Sequence, residues 1–299
     1  MTPLEGVLPV LHTPYQEDWT IDYDTLGEEV EFAFAQGANG IVFALASELL
    51  RLTEGERRQT AEFLVRAARG RGSVVISVGA ESSFGAAQFA RHAESVGATA
   101  VMATPPLCTR AGDMELEHYY QAILEATGLP LVVQDASSYV GSPLSIAFQA
   151  GLFARFGERV AFKPEAAPVG PVVSALNALS NGQVRIYEGS GGAMLAENYR
   201  RGIAGTMPGT DLLDAIVALW RALEAGDDKR IYALSPLIGA IQALGIGLDG
   251  YLVIEKYLLK RRGLFRNTLV RGPVAFRLDA EATAELERLY DLLQERLEL

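Results

Sequence analysis

The 299-residue chain has little of what disulfide-linked, metal-binding or nucleic-acid-binding proteins need. It has one cysteine, Cys108, and three scattered histidines, which excludes an intrachain disulfide and zinc-type Cys/His spacing. Acidic residues outnumber basic ones by 37 to 26, and the resulting net charge of -11 would repel phosphate backbones and anionic lipid. We therefore expect no metal, no cofactor, no nucleic-acid partner and no membrane association.

Targeting signals are scarce as well. The N-terminus has no basic segment followed by an apolar stretch, and no apolar run reaches the roughly 18 residues that span a bilayer. This pattern, together with the single cysteine, predicts a cytoplasmic protein.

Eight short β-branched or apolar runs alternate with amphipathic segments over the first two thirds of the chain. Such alternation is typical of parallel strands joined by crossover helices. The runs cover residues 7–12, 40–44, 73–78, 99–104, 131–134, 159–163, 184–188 and 204–207. Eight strand-helix units in about 210 residues predict an α/β fold, a (β/α)8 TIM barrel, with its active site at the carboxyl ends of the strands.

The strand pattern ends near residue 210, and apolar residues then recur at helical spacing. We predict a barrel over residues 1–210 and a C-terminal helical appendage over residues 211–299. These helices could cover the barrel or form a subunit contact. An open doubly wound sheet is the alternative fold, but no Gly-x-Gly-x-x-Gly follows the first strand.

Lysine is also rare, with four residues against 22 arginines. Lys229 lies in an acidic stretch, and Lys256 and Lys260 lie four residues apart in the helical region, whereas Lys163 ends the sixth predicted strand. A lysine at a barrel mouth is desolvated, which favours a neutral amine that can condense with a ketone to form an iminium. The alternative is a buried ion pair that only closes the barrel.

Acidic and polar residues accompany Lys163 at the predicted rim. Glu165 lies two positions further along the strand, so it shares a face with Lys163 and could stabilise an iminium or move protons. Ser47 and Glu48, after the second strand, add a hydroxyl and another carboxylate. Glu48 could instead only orient its loop.

Several segments carry a family resemblance: Gly6-Val7-x-Pro9-Val10-x-x-Thr13-Pro14-Tyr15, Ser47-Glu48-x-x-x-Leu52-x-x-x-Glu56-Arg57, Thr104-Pro105-Pro106, Lys163 and Gly189. With these, the whole chain resembles the dihydrodipicolinate synthase / N-acetylneuraminate lyase superfamily. The resemblance implies a (β/α)8 barrel that is a homo-oligomer, a dimer or tetramer. It also implies that Lys163 forms a Schiff base with a 2-keto acid such as pyruvate.

Three segments depart from that superfamily's usual pattern. The Gly-Thr-Thr-Gly-Glu loop that holds the keto-acid carboxylate reads Ala-Leu-Ala-Ser-Glu at residues 44–48, without the two threonines. The usual Tyr-Tyr after strand four is Pro-Leu at residues 106–107, and the proton-relay tyrosine of strand five is replaced in Gln134-Asp135-Ala136. These departures disfavour the lysine-biosynthesis activity and ordinary sialic acid cleavage.

Four segments resemble a divergent branch typified by 2-keto-3-deoxy-L-arabonate dehydratase: Ser47-Glu48, Gln134-Asp135, Lys163-Pro164-Glu165 and Gly205-Thr206-Met207-Pro208-Gly209. That likeness implies a lyase in which the iminium acidifies C3 of a 2-keto-3-deoxy sugar acid and water leaves from C4. Lys163 and Glu165 would be catalytic. The candidate substrate-binding residues are Ser47, Glu48, Gln134, Gly189 and Thr206.

Three other functions stay open from the sequence. An aldolase would use the same Lys163 iminium to cleave a carbon-carbon bond and release pyruvate. A phosphate-binding barrel could use the glycine-rich segment 189–192 after strand seven. A keto-acid-binding barrel without catalytic activity is the third.

Overall fold

The computed structural model describes residues 4–298, and this part of the chain forms eight strands and eleven α-helices. The strands are β1 (Gly6–Val7), β2 (Gly40–Phe43), β3 (Ser73–Ser77), β4 (Ala100–Ala103), β5 (Leu131–Asp135), β6 (Val160–Pro164), β7 (Tyr187–Glu188) and β8 (Gly205–Thr206). Each falls in or directly beside a predicted run.

Helices α1 to α8 each follow the strand of the same number, and three more helices follow α8. They are α1 (Tyr23–Gln36), α2 (Glu54–Ala68), α3 (Ser83–Ser95), α4 (Asp113–Ala126), α5 (Ile146–Phe156), α6 (Val169–Leu179), α7 (Leu195–Tyr199), α8 (Leu213–Ala225), α9 (Asp228–Gln242), α10 (Gly247–Arg261) and α11 (Ala280–Leu297). Three single-turn 3₁₀ segments lie at Leu45–Ser47, Leu49–Arg51 and Gly157–Arg159.

The strands form a closed parallel barrel. One group pairs in the order β2-β3-β4-β5-β6 and the other in the order β1-β8-β7. Single parallel bridges, Val10 to Val42 and Phe162 to Ile186, connect the two groups. The predicted (β/α)8 barrel with C-terminal helices is therefore confirmed.

Alternation along β6 explains why Lys163 points into the barrel. Ala161 belongs to the apolar cluster inside the barrel, whereas Val160 and Phe162 belong to the cluster between the barrel and the surrounding helices. Because successive strand residues face opposite sides, the next residue after Phe162 faces inward. Lys163 is paired in register with Gln134 of β5, which has the same parity as the inward Val132.

The C-terminal helices continue the packing of the barrel. Helix α8 packs against α1 and β1, α9 packs against α8 and α11, and α10 packs against the 3₁₀ turn at Leu45–Ser47. Ile216, Ile238 and Leu286 share one buried cluster with Val7 and Ile76. The division at residues 210 and 211 stays a prediction from sequence pattern.

A helix that crosses a bilayer must be long and predominantly apolar. Within residues 4–298, no single helix meets that requirement. Helices α9 and α10, which meet at 118°, meet it only as a bent pair and by length and composition alone.

Candidate active site

The end of β6 places an amine and a carboxylate in direct contact. Lys163 Nζ donates to Glu165 Oε1 at 2.5 Å, and Gln134 Nε2 donates to Glu165 Oε2 at 2.8 Å. The backbone fixes this arrangement, because the Glu165 amide donates to the carbonyl of Asp135 at 2.9 Å. All three side chains are buried. The structure thus brings together three residues that the sequence placed on neighbouring strands.

Burial changes the protonation of the carboxylate. Desolvation raises the pKa of Glu165 above its usual range, although Lys163 and Gln134 act in the opposite direction. A carboxyl group with a raised pKa can hold a proton closer to neutrality than an exposed one does. Glu165 therefore has the protonation behaviour that a group alternating between base and acid needs.

Gly189 has no side chain, and the Lys163–Glu165 pair occupies the space that a side chain there would fill. A Cβ at that position would lie 2.6 Å from Glu165 Cγ and 2.9 Å from Lys163 Cε. Any side chain would therefore displace the pair or the strand that carries it. The predicted role of Gly189 at the site is compatible with this close approach.

Thr206 contacts Glu188 rather than Lys163 or Glu165, and Glu188 was not among the predicted site residues. Thr206 Oγ1 donates to Glu188 Oε2 at 2.7 Å, and the amide of Ser190 donates to Glu188 Oε1 at 2.6 Å. Glu188 is fully buried, and its charge contributes to the raised pKa of Glu165. Thr206 thus contacts a second acidic group close to the Lys163 pair.

A cavity of about 50 Å³ opens beside Lys163, Glu165, Gln134 and Gly189. Its walls also include residues that the sequence analysis did not select: Tyr139, Leu248, Tyr251 and Glu255. Tyr139 lies in the loop after β5, whereas the other three lie on α10. The sequence carries one signal for these three residues: their spacing of three and four positions puts them all on one helix face.

Two tyrosines stand at the cavity although the tyrosine motifs of strands four and five are absent. The rings of Tyr139 and Tyr251 meet edge to face with centroids 5.4 Å apart. Burial and the charge of Glu165 raise the pKa of Tyr139 well above its usual range, so its phenol remains a hydrogen-bond donor. Tyrosine side chains thus line the cavity from the loop after β5 and from α10, although the two motif positions lack them.

Ser47 and Glu48 do not line the cavity beside Lys163. Ser47 Oγ donates to the carbonyl of Leu11 at 2.5 Å, which secures the turn in which it lies. Glu48 forms a buried ion pair with Lys256 and accepts from the amide of Arg271 at 3.0 Å. The geometry therefore favours the alternative role for Glu48, which is to orient its loop.

Lys163, which the sequence singled out as the lysine at the barrel mouth, is one of two buried lysines among the described residues. Lys256 is fully buried on α10 and donates to the carbonyls of Thr13 at 2.7 Å and Leu269 at 2.6 Å, in addition to its ion pair with Glu48. Their spacing of four residues had placed Lys256 and Lys260 on one helix face. The two differ because only Lys256 turns toward the β1 and β2 loops.

Fold and site together define a (β/α)8 barrel whose internal cavity holds an amine against a carboxylate. A family model described as the dihydrodipicolinate synthetase family matches residues 3–292. The chain therefore belongs to that family, as the sequence resemblance implied.

Individual relatives agree with this membership. The chain is 36% identical over 141 residues to the 4-hydroxy-tetrahydrodipicolinate synthase of Phenylobacterium zucineum, covering 47% of this chain and 48% of that one. It is 27% identical over 146 residues to a probable 2-dehydro-3-deoxy-D-pentonate aldolase of Escherichia coli, covering 48% of each chain. These alignments span about half the length of the curated relatives.

A solved structure matches over nearly the whole length. The 4-hydroxy-tetrahydrodipicolinate synthase of Methylacidiphilum fumariolicum superposes with a TM-score of 0.89, covering 99% of this chain and 98% of that one at 20% identity. At this identity the likeness establishes the fold.

Proposed function

We propose that this protein is a lyase that forms a Schiff base through Lys163 and dehydrates a 2-keto-3-deoxy sugar acid. One observation carries the proposal: the Glu165 carboxylate bridges Lys163 Nζ and Gln134 Nε2 beside a cavity. An amine, a carboxylate that moves a proton and an amide that binds a hydroxyl are the groups that this reaction needs.

The reaction starts at C2 of the keto acid. Lys163 Nζ attacks C2, and the carbonyl oxygen leaves as water when the iminium forms. Glu165 then removes a proton from C3, and the electron pair moves into an enamine. Because the iminium draws electrons from C3, this proton becomes far more acidic than in the free substrate.

The second half of the reaction removes the hydroxyl from C4. The enamine electrons expel this hydroxyl, which takes the proton from Glu165 and leaves as water. Tyr139 lines the cavity, and its phenol is the second donor that we assign to the departing oxygen. Water then hydrolyses the remaining iminium and restores the Lys163 amine, so that the net change is the loss of one water molecule.

Gln134 provides an unused acceptor for a substrate hydroxyl. Its Nε2 is engaged by Glu165, whereas its Oε1 is buried and has no hydrogen-bond partner within residues 4–298. A buried acceptor without a partner is costly, so a ligand hydroxyl donating to it would be favoured. This acceptor supports a hydroxylated substrate.

Borohydride trapping tests the covalent step. Incubating the protein with pyruvate or a 2-keto-3-deoxypentonate and then reducing it should add one ligand per chain, and peptide mapping should locate it on Lys163. Lys163→Arg should remove the label and keep the fold, because arginine does not condense with a ketone at accessible pH. Labelling at another lysine, or none with any keto acid, would contradict the mechanism.

Product analysis then separates dehydration from aldol cleavage, which the pentonate aldolase among the relatives makes the competing reaction. An unsaturated or semialdehyde keto acid supports the dehydratase. Free pyruvate together with an aldehyde would show an aldolase. Trapping with no turnover of any keto-deoxy acid would leave a binding protein.

A further inference from the structure

Helix α10 supplies one side of the cavity, and Glu255 is its charged residue. Leu248, Tyr251 and Glu255 share one helix face and line the same cavity as Lys163. Glu255 is 4% exposed, so its carboxylate meets the cavity rather than bulk water. No step of the proposed dehydration uses this carboxylate.

A buried histidine fixes Glu255 by one of its two oxygens. His12 Nε2 lies 2.7 Å from Glu255 Oε2, and His12 Nδ1 lies 3.0 Å from Glu29 Oε1. Burial alone would lower the pKa of His12, but the charges and hydrogen bonds of Glu255 and Glu29 outweigh burial and raise it to about 10. The ring is therefore an imidazolium between two carboxylates.

The other oxygen of Glu255 has no protein donor. No hydrogen bond to Glu255 Oε1 is present within residues 4–298, and a Cβ on Gly209 would lie 2.7 Å from this atom. Gly209 also lines the cavity, and the absence of a side chain there keeps Oε1 uncovered. A fixed carboxylate with one unused oxygen accepts hydrogen bonds and offers none.

Carboxylates outnumber cations at this end of the cavity, since Glu255, Glu29 and Asp211 surround the one imidazolium of His12. Asp211 is buried next to Glu255, and burial together with the charge of Glu255 raises the pKa of Asp211 to about 7. Among the described residues that line the cavity, Lys163 is the one cation, and Glu165 already pairs with it. A ligand carboxylate near Glu255 would be repelled by its charge and would find no unpaired cation among the described residues that line the cavity.

We propose that Glu255 determines specificity by accepting hydrogen bonds from hydroxyl groups on the distal carbons of a keto acid bound at Lys163, and by rejecting keto acids that carry a second carboxylate there. The inference rests on the proposed function in that it requires a keto acid on Lys163. Buried polar groups discriminate strongly because the wrong ligand leaves them unpaired.

Trapping with three acids measures this preference. The probes are pyruvate, which has no tail, a 2-keto-3-deoxypentonate, which has a hydroxylated tail, and 2-oxoglutarate, which has a carboxylate tail. The measurement is the keto-acid concentration that gives half-maximal borohydride labelling, read by intact mass. The wild-type protein should label most readily with the hydroxylated acid and least readily with 2-oxoglutarate.

Glu255→Gln should reverse part of this order. The amide keeps an oxygen for His12 and turns its NH₂ toward the cavity, so an acceptor becomes a donor. The half-labelling concentration for the hydroxylated acid should rise roughly ten- to a hundredfold, as for loss of a hydrogen bond to a charged group. It should stay within about threefold for pyruvate, and 2-oxoglutarate should label more readily than in the wild-type protein.

Glu29→Gln is the matched control. Glu29 contacts the other nitrogen of the same histidine and is equally buried, but it does not line the cavity. The ratio of its half-labelling concentrations for the hydroxylated acid and for pyruvate should change much less than in Glu255→Gln, because Glu255 keeps its carboxylate and its own contact with His12. If Glu255→Gln does not fold, Glu255→Asp, which keeps the charge but withdraws it, should weaken labelling by the hydroxylated acid selectively.

The outcomes separate the two proposals. If the wild-type protein is labelled, two results count against the specificity role: Glu255→Gln leaves the ratio of half-labelling concentrations for the hydroxylated acid and pyruvate unchanged, or Glu29→Gln shifts this ratio as much as Glu255→Gln does. In either case the specificity role is wrong and the Schiff-base function stands. If no acid labels the wild-type protein, the proposed function fails and the specificity role fails with it.

Discussion

Two buried lysine-carboxylate pairs occupy different regions of this molecule and show what distinguishes a reactive lysine from a structural one. Lys256 on α10 donates to Glu48 and to two backbone carbonyls, which uses all three ammonium hydrogens. Lys163 on β6 donates to Glu165 alone among the described residues and lines a cavity. Both are almost completely buried.

The difference lies in unused hydrogen-bonding capacity and in access. All three hydrogens of the Lys256 ammonium have protein acceptors, whereas the Lys163 amine has one carboxylate partner and faces a cavity where a carbonyl carbon could reach it. Burial alone is thus a poor indicator of reactivity. The residues opposite the amine decide its role.

The largest expected effect separates the two lysines outright. Lys163→Arg should lose all borohydride labelling, whereas Lys256→Arg should keep a label on Lys163, because the cation that holds Glu48 is preserved. Peptide mapping of both variants after reduction with pyruvate is the measurement. A label that disappears equally in both variants would erase the distinction.

The second-largest effect should separate Glu165 from Glu48, the carboxylate partners of the two lysines. Glu165→Gln should spare trapping but slow dehydration by about 10²- to 10⁴-fold, the usual cost of losing a general acid or base. Glu48→Gln should have a much smaller effect on turnover, since Glu48 does not line the cavity. Steady-state rates on a keto-deoxy acid compare the two variants directly. Normal turnover in Glu165→Gln with none in Glu48→Gln would move the base to the second loop.

For stability, we expect substitution of Lys256 to have the larger effect and substitution of Lys163 the smaller one, the reverse of the order expected for activity. Lys256→Met leaves Glu48 buried without its cation and should lower the free energy of unfolding by roughly 3–5 kcal/mol. Lys163→Met should cost less, because the raised pKa of Glu165 lets this carboxyl take up a proton when its partner is removed. Denaturant unfolding at neutral pH measures both, and circular dichroism at zero denaturant verifies the starting fold. Equal losses would show that Lys163 is as structural as Lys256.

The smallest effect is a displaced pH profile. Glu165 must be ionised to accept the C3 proton, and its pKa is raised above 4.5. As the pH is lowered, activity should therefore begin to fall at a pH above 4.5, because Glu165 becomes protonated at a higher pH than an exposed glutamate does. The pH dependence of kcat/KM gives this limb. The limb should be absent from the residual activity of Glu165→Gln, and its persistence there would assign it to another group.

The site was predictable from the sequence where local patterns controlled it. The two-residue period of strands placed Lys163 and Glu165 on one side of β6. Gln134 was selected from the family resemblance, and the structure shows it in register with Lys163. Gly189 followed from the resemblance and is placed where a side chain would collide with the pair. Such features depend on neighbours in sequence or on adjacent strands.

The C-terminal contribution to the site could not be read in the same way. Glu255 lies 243 residues from His12, yet their side chains are in contact. The helical period marks Leu248, Tyr251 and Glu255 as one face, but the period does not say which surface that face meets. Ser47 and Glu48 were expected at the cavity from their place after the second strand, and nothing in the pattern around Lys256 indicated its ion pair with Glu48.

By itself, the sequence determined the order of eight strands and their helices, the inward direction of Lys163 and its carboxylate neighbour, and the family to which the chain belongs. Only the tertiary structure decided that α10 closes over the barrel mouth, pairs Glu48 with Lys256 and brings Glu255 to the cavity. The physical reason is that strand parity and helical period are local properties of the backbone. The docking of α10 depends instead on burying residues that are more than 200 positions apart.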